Sequence, residues 1–206
     1  MPASAADDVL TIGKSGDPDN IDPAVTVTNN SWTASYPAYE RLVRFNGGST
    51  DIAPEVAKSW TTSADMLTWT FTLGDGHTFA DGKPVDAEAV KFSFDRVIKN
   101  GKGPMGSFEA IKSVEAVDPH TVKFTLKEPF APFLSTLATS GGSIVNPAVM
   151  DKATGDDLGQ GYLADHTMGS GPYQVKSWEK GQRIVMEPNP KWSGSELKFK
   201  EIDIKI

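Results

Sequence analysis

Leu67, Trp69, Phe71 and Leu73 alternate with Thr68, Thr70 and Thr72. A two-residue period this regular fits a pleated strand, with one apolar face for a core and one threonine face. Gly74-Asp75-Gly76 follows, and a turn is cheap there because these residues tolerate positive φ. A second turn is expected at Asp81-Gly82, closed by Pro84. Asp86 is placed to cap a helix. In that helix Ala87, Val90, Phe94, Val97 and Ile98 share one stripe, while Glu88, Lys91, Asp95 and Lys99 lie off it. Asp95 and Lys99 stand in the favourable i,i+4 order, and Asn100-Gly101 ends the helix. A strand and a helix sharing one core are therefore expected from Leu67 to Ile98.

The flanking chain reads as short elements joined by turns. Val9–Ile12 is a strand candidate, and Gly13–Pro23 is a loop rich in Gly, Asp and Pro. Asn29–Ser31 offers caps for a helix whose apolar stripe is Trp32, Tyr36, Tyr39 and Val43, with Pro37 expected to kink or restart it. Asn46-Gly47-Gly48 is a hairpin-type turn. Ser113–Val117 and Thr121–Leu126 read as paired strands joined by Asp118-Pro119-His120. Phe130, Phe133, Leu134, Leu137 and Ala138 make a short amphipathic helix. Ile144–Pro147 reads as a strand, and residues 151–167 as a polar loop with one weak helical turn. Phe199, Ile202, Ile204 and Ile206 form an alternation that runs to the C-terminus. A strand there is expected to lack a partner, as in a truncated chain.

Composition removes several functions. The net charge of −7 lacks the basic face that nucleic acid or an anionic membrane requires. With no cysteine, disulfide frameworks, thiolate zinc sites and cysteine nucleophiles are excluded. No apolar run approaches a membrane span in length. Ala3-Ser4-Ala5 has the small-x-small form of a signal-peptidase site with no apolar run before it. It reads either as an Ala/Ser-rich frayed start or as an exported protein without its leader.

No catalytic constellation emerges. His77, His120 and His166 stand at no metal-ligand spacing, and His77 and His120 fall in expected solvated turns. Ser170 has Met168 and Pro172 where a nucleophile elbow needs glycines. Gly101, Gly103 and Gly106 satisfy Gly-x-Gly-x-x-Gly, but they follow a helix and include Pro104, whereas a dinucleotide site follows a strand. Asp156 and Asp157 read as solvated loop. An enzyme is the class these residues favour least.

Several segments together carry a resemblance. They are Leu67–Leu73, Asp75-Gly76-His77-Thr78-Phe79, Asp81-Gly82-Lys83-Pro84-Val85 and Ala89-Val90-Lys91-Phe92-Ser93. In the same chain stand Ile21-Asp22-Pro23, Tyr39-Glu40-Arg41-Leu42-Val43 and Ile52–Trp60 with Val56 at a usual leucine. Gly169-Ser170-Gly171-Pro172-Tyr173 follows, with serine for threonine, and then Trp178, Gly181, Asn189-Pro190 and Trp192. This set resembles the bacterial extracytoplasmic solute-binding proteins of family 5. That dipeptide/oligopeptide-binding-like branch feeds peptides, nickel chelates and opine-like solutes to ABC importers.

The resemblance implies an α+β fold, a mixed sheet with flanking helices, forming the first lobe of a periplasmic-binding-protein-like (type II, cluster C) receptor. It implies a discontinuous subdomain of residues 1–48 plus 166–206, an inserted subdomain of 49–165, and a second lobe absent from this chain. The implied function is noncatalytic capture of a peptide or similar small solute between lobes, then delivery to permease subunits in the membrane. The implied location is the periplasm, or the cell exterior in membrane-associated form, with no cofactor, metal or nucleic acid. Three loops are expected to border the ligand cleft: Thr26, Val27, Thr28 and Asn29; Met105 and Phe108; and Gly142 and Ser143. An exposed cleft wall would also favour self-association. Other readings stand beside this one: a structural or interaction lobe with little ligand binding of its own, and, less favoured, a hydrolase.

If the Trp69 face is core, Trp69→Ala is expected to lower stability by about 3–5 kcal/mol in urea unfolding. A loss under about 1 kcal/mol would show that the strand is phased the other way.

Overall fold

The computed structural model describes residues 8–206, so Ala3-Ser4-Ala5 lies outside it. In chain order the elements are β1 (Val9–Gly13), α1 (Asn29–Ala38), β2 (Val43–Phe45), β3 (Ile52–Pro54), β4 (Ala57–Thr62) and β5 (Thr68–Leu73). Then come α2 (Ala87–Asn100), β6 (Ile111–Asp118), β7 (Thr121–Leu126), α3 (Phe133–Leu137) and α4 (Gln160–Leu163). The chain closes with β8 (Tyr173–Glu179), β9 (Arg183–Pro188) and β10 (Glu201–Lys205). Three 3₁₀ turns lie at Gly103–Phe108, Ser140–Gly142 and Pro147–Lys152. The expected α+β architecture is present as two four-stranded sheets, β4-β5-β7-β6 and β1-β10-β9-β8, with a β2-β3 ribbon.

The strand with the threonine alternation is internal to its sheet, antiparallel to β4 on one edge and β7 on the other. Trp69, Phe71 and Leu73 are buried, as the period requires. Helix α2 lies over that face. Its Phe94 ring meets Phe124 edge-on at 4.9 Å and Phe108 at 5.5 Å. Asp86 caps α2 by accepting from the Ala89 N–H at 2.9 Å, and Gly101 ends it at φ +65°. Asp95 pairs with Lys91, not with Lys99 as expected. Lys99 stands in the last turn of α2, where the unpaired carbonyls favour a cation.

A second core, including Ile21, Ala34, Tyr39, Val149, Leu163, Ile184 and Ile204, lies with the other sheet. Its formation reverses one expectation at the C-terminus. β10 is paired on both sides, parallel to β1 and antiparallel to β9.

Three further expectations change. Helix α1 ends at Ala38 with Pro37 in its last turn, and it buries Ser31, Ala34, Ser35 and Ala38 instead of the Trp32/Tyr36 stripe. Small side chains allow closer approach: a Cβ on Gly171 would lie 2.5 Å from the Pro37 carbonyl oxygen. Residues 144–147 form no strand, because Ile144 and Asn146 donate singly to Glu40 and Met168 carbonyls on other segments. His77 is not a free turn histidine, since its Nδ1 lies 2.9 Å from Glu40 Oε1, a largely buried carboxylate.

One ion pair joins the two cores. Arg96 of α2 donates from Nη1 to Asp22 Oδ1 at 2.7 Å, from Nη2 to Asp22 Oδ2 at 2.5 Å, and from Nε to the Leu158 carbonyl at 2.8 Å. The two side chains are 1% and 0% exposed. Asp22 stands between Ile21, which belongs to one core, and Ala24, which belongs to the other. Helix α2 is tied across a second time where the Val145 N–H donates to Ser93 Oγ at 2.9 Å.

Two predictions follow from these polar contacts. Arg96→Met leaves a carboxylate buried without its partner and is expected to cost about 3–5 kcal/mol in urea unfolding, much of it recovered in the Asp22→Leu/Arg96→Met double variant. A single-variant loss under about 1 kcal/mol would contradict the pair's burial. The Glu40 hydrogen bond holds the His77 imidazolium above its ordinary range, outweighing the opposing effect of burial. The stabilisation is therefore fully present below the unfolded histidine pKa and is lost as pH rises through the raised folded value. Wild type should gain stability over His77→Gln on acidification from near pH 8 to near pH 6, read by urea midpoints; a constant difference would overturn the assignment.

Candidate functional site

The Asp22 turn begins the site. Asp22 Oδ1 accepts from the Ala24 N–H at 2.9 Å, and its carbonyl accepts from Val25 and Thr26 N–H at 3.0 and 3.1 Å. The turn brings the chain against the 3₁₀ segment Gly103–Phe108. Only glycine fits at 103, with φ +53° and a would-be Cβ 2.1 Å from the Val25 oxygen. Gly141 is pressed equally hard, its would-be Cβ lying 2.5 Å from Pro104 and 2.8 Å from Phe108. Three loops distant in sequence are thereby drawn together at one end of α1.

Between them lies a hollow of about 370 Å³. Thr26 and Val27 border it from the first loop, Trp32 and Tyr36 from α1, Pro104 and Ser107 from the second loop, and Thr139, Ser140 and Gly141 from the third. Trp32 and Tyr36 meet edge to face at 6.5 Å. The Arg41 guanidinium lies 4.9 Å from the Tyr36 ring centroid. Val27 is 54% exposed and Tyr36 is 38% exposed. The lining combines aromatic faces with five hydroxyls, the Tyr36 phenol among them, and carries no ionisable acid or base near neutral pH. Such a surface suits an uncharged part of a small molecule, held by apolar contact and hydroxyl hydrogen bonds.

The first loop is fixed from behind by one carboxylate. Asp19 Oδ1 accepts from Ser31 Oγ at 2.8 Å, Thr28 Oγ1 at 3.1 Å and Thr26 Oγ1 at 3.2 Å. Thr28 in turn caps α1 by accepting from the Ser31 N–H. Desolvation pushes the Asp19 carboxyl upward, but the hydrogen bonds of Ser31 and Thr28, with lesser ones from its own backbone and Thr26, hold it below the usual range.

The expected cleft residues part company here. Thr26 and Val27 border the hollow, while Thr28 and Asn29 start the helix behind it. Met105 borders a different hollow with Glu109, Ala110, Lys127 and Glu128. Phe108 is core, packed on Phe94. Gly142 and Ser143 are buried, Gly142 against the Leu137 carbonyl and Ser143 bridged to Arg41. The residues that sequence reasoning missed are Trp32, Tyr36, Pro104, Ser107, Thr139, Ser140 and Gly141. For two of them a signal existed: Ser31, Ala34, Ser35 and Ala38 form a second face of α1, small enough to be the buried one. Among the described residues no His, Cys, Asp and Glu cluster could hold a metal ion. Nor, among the described residues, is any helix long and apolar enough to cross a membrane.

Comparison with known proteins agrees with this architecture. The chain is 51% identical over 208 residues to the probable D,D-dipeptide-binding periplasmic protein DdpA of Escherichia coli K12, covering 99% of this chain and 40% of that protein. It superposes on the periplasmic binding protein DppA of Helicobacter pylori, in complex with the peptide STSA, with TM-score 0.84 and 29% identity, covering 96% of this chain and 42% of that one. It also superposes on MoaA of A. tumefaciens R10, in complex with mannopinic acid, with TM-score 0.85 and 32% identity, over 96% and 40% of the two chains. The chain thus spans about two fifths of the length of these relatives, as one lobe of a periplasmic-binding-protein-like fold. Residues 51–206 match the model of bacterial extracellular solute-binding proteins, family 5, and the chain belongs to that family.

Proposed function

We propose that this chain supplies one wall of a ligand cleft in the substrate-binding component of an ABC importer. The hollow between the Thr26, Pro104 and Ser140 loops carries this reading, because it is the place where three loops and the partly exposed Trp32 and Tyr36 rings converge on one concave surface. The relatives' printed names, binding proteins for a D,D-dipeptide and for peptides, support a peptide or similarly small solute. Thr26 and Val27 offer the loop backbone along which an extended ligand would lie. The remaining lobe would cover the opposite side, meet the ligand's charged groups and close over it before delivery to permease subunits. Periplasmic residence, the lack of a catalytic role, and a division into residues 1–48 with 166–206 and an inserted 49–165 belong to the same proposal. The two four-stranded sheets support that division, since β4-β5-β7-β6 falls within 49–165 and β1-β10-β9-β8 within the two flanking stretches.

A wall alone leaves half of any ligand in water, so affinity should be low. D-Alanyl-D-alanine is a suitable probe, followed by amide shifts in nuclear magnetic resonance. It is expected to move signals of residues 26–36 and 139–141 with a dissociation constant near millimolar, about −4 kcal/mol, and Trp32→Ala should weaken it further. Shifts confined to another surface would overturn the site. Micromolar or tighter binding by the monomer, about −8 kcal/mol, would show that this lobe carries a complete site of its own. Val27 and Tyr36 also leave an apolar patch that favours self-association, which the same spectra read at two protein concentrations.

A further inference from the structure

Asp19 does not border the hollow, yet every polar side chain of the loop that does border it converges on one of its oxygens. Thr26, Thr28 and Ser31 all direct hydroxyls at Asp19 Oδ1, within 3.2 Å. Each hydroxyl has one proton to give. Thr28 and Ser31 also lie 2.8 Å apart, and Thr26 Oγ1 accepts from the Thr28 N–H at 3.3 Å. One proton of the Thr28–Ser31 pair serves the contact between them, so the cluster donates two protons at once to Asp19 Oδ1, one for each of its lone pairs. An ionised carboxylate accepts both, and among the described residues no other charged side chain hydrogen-bonds to the three hydroxyls.

We propose that Asp19 is the positioning residue of the hollow: its carboxylate sets the path of the Thr26–Thr28 loop and the start of α1, and so places Val27, Trp32 and Tyr36 for the ligand. The link to ligand binding rests on the cleft reading above; the link to loop geometry does not. The hydrogen bonds of the Asp19 side chain go to Thr26, Thr28 and Ser31, so it acts on Trp32 and Tyr36 through the start of the helix that carries them. The turn behind the loop is tied to α2 through Arg96 on Asp22 and Asn100 on the Ala24 carbonyl, whereas the largely exposed Val27 lies beyond those ties, in the stretch whose hydroxyls meet Asp19. Preorganising a loop in its bound shape raises affinity by removing the ordering cost from the binding step.

The test uses the full chain, with amide exchange and D-alanyl-D-alanine titration followed residue by residue. In Asp19→Ala, exchange at residues 26–32 should rise roughly tenfold, with the β4-β5-β7-β6 sheet unchanged. Probe affinity should fall by about fivefold or more. Asp19→Asn keeps an acceptor oxygen for the three hydroxyls and should stay within about twofold of wild type in both measurements. Rescue by asparagine separates positioning from a general loss of fold. If Asp19→Ala does not fold, Ser31→Ala removes the shortest of the three donors and should show the same local loosening. Unchanged exchange in Asp19→Ala, or equal damage in Asp19→Asn, overturns the proposal. Failure of the probe to bind wild type would instead sink the cleft reading, while exchange in the Asp19 variants still decides what the carboxylate does to the loop.

Discussion

The buried Asp22–Arg96 pair is the contact on which the rest of the lobe depends. It stands at one of the points where the chain passes from one core to the other, and it ties that point to α2 and to the Leu158 loop together. Burying two charges is costly unless each is fully hydrogen-bonded. Asp22 meets the condition by taking two guanidinium donors and the Ala24 N–H, while its own carbonyl accepts two more amides. A pair so enclosed tolerates one relative placement of the elements it joins. It fixes the Asp22 turn against α2 and the Leu158 loop, whatever its net contribution to stability.

From that placement the hollow follows by close approach. Gly103 against the Val25 carbonyl and Gly141 against the Pro104 and Phe108 side chains leave no room for a Cβ, so the three loops meet in close contact. Tight contacts make the floor rigid, since packed interiors yield little. The exposed rim is different in kind. There Val27 and Tyr36 face water, and side-chain hydroxyls supply the polar contacts. A rigid floor under an adaptable, uncharged rim suits a surface that binds one side of a small solute and leaves charge recognition to another part of the receptor.

Electrostatics near the hollow are arranged out of its lining. Arg41 engages Glu55 through both its backbone N–H, at 2.9 Å, and its Nη2, at 3.0 Å. Burial raises the Glu55 carboxyl above its ordinary range, against the pull of Arg41. Glu40, next in sequence, is held by His77. The Arg41 guanidinium stands near the face of the Tyr36 ring, and that ring is partly exposed at the hollow.

The local grammar of the chain was legible in the residues alone. The threonine alternation identified β5, Asp86 and Gly101 bounded α2, and the segments from Ile21-Asp22-Pro23 to Trp192 identified the family. These are short-range properties, set by backbone sterics, side-chain period and capping. The tertiary structure alone decided which face of α1 is buried, because Trp32 and Tyr36 are as apolar as any core residue and only the close approach of Gly171 and Ser140 selects the small face. It alone gave β10 its two partners, and His77 its carboxylate 37 positions away. It also decided that Phe108 is core while Ser107 and Gly141 border the hollow. Contacts between residues far apart in sequence depend on where whole elements sit, and no periodicity in a single stretch encodes that.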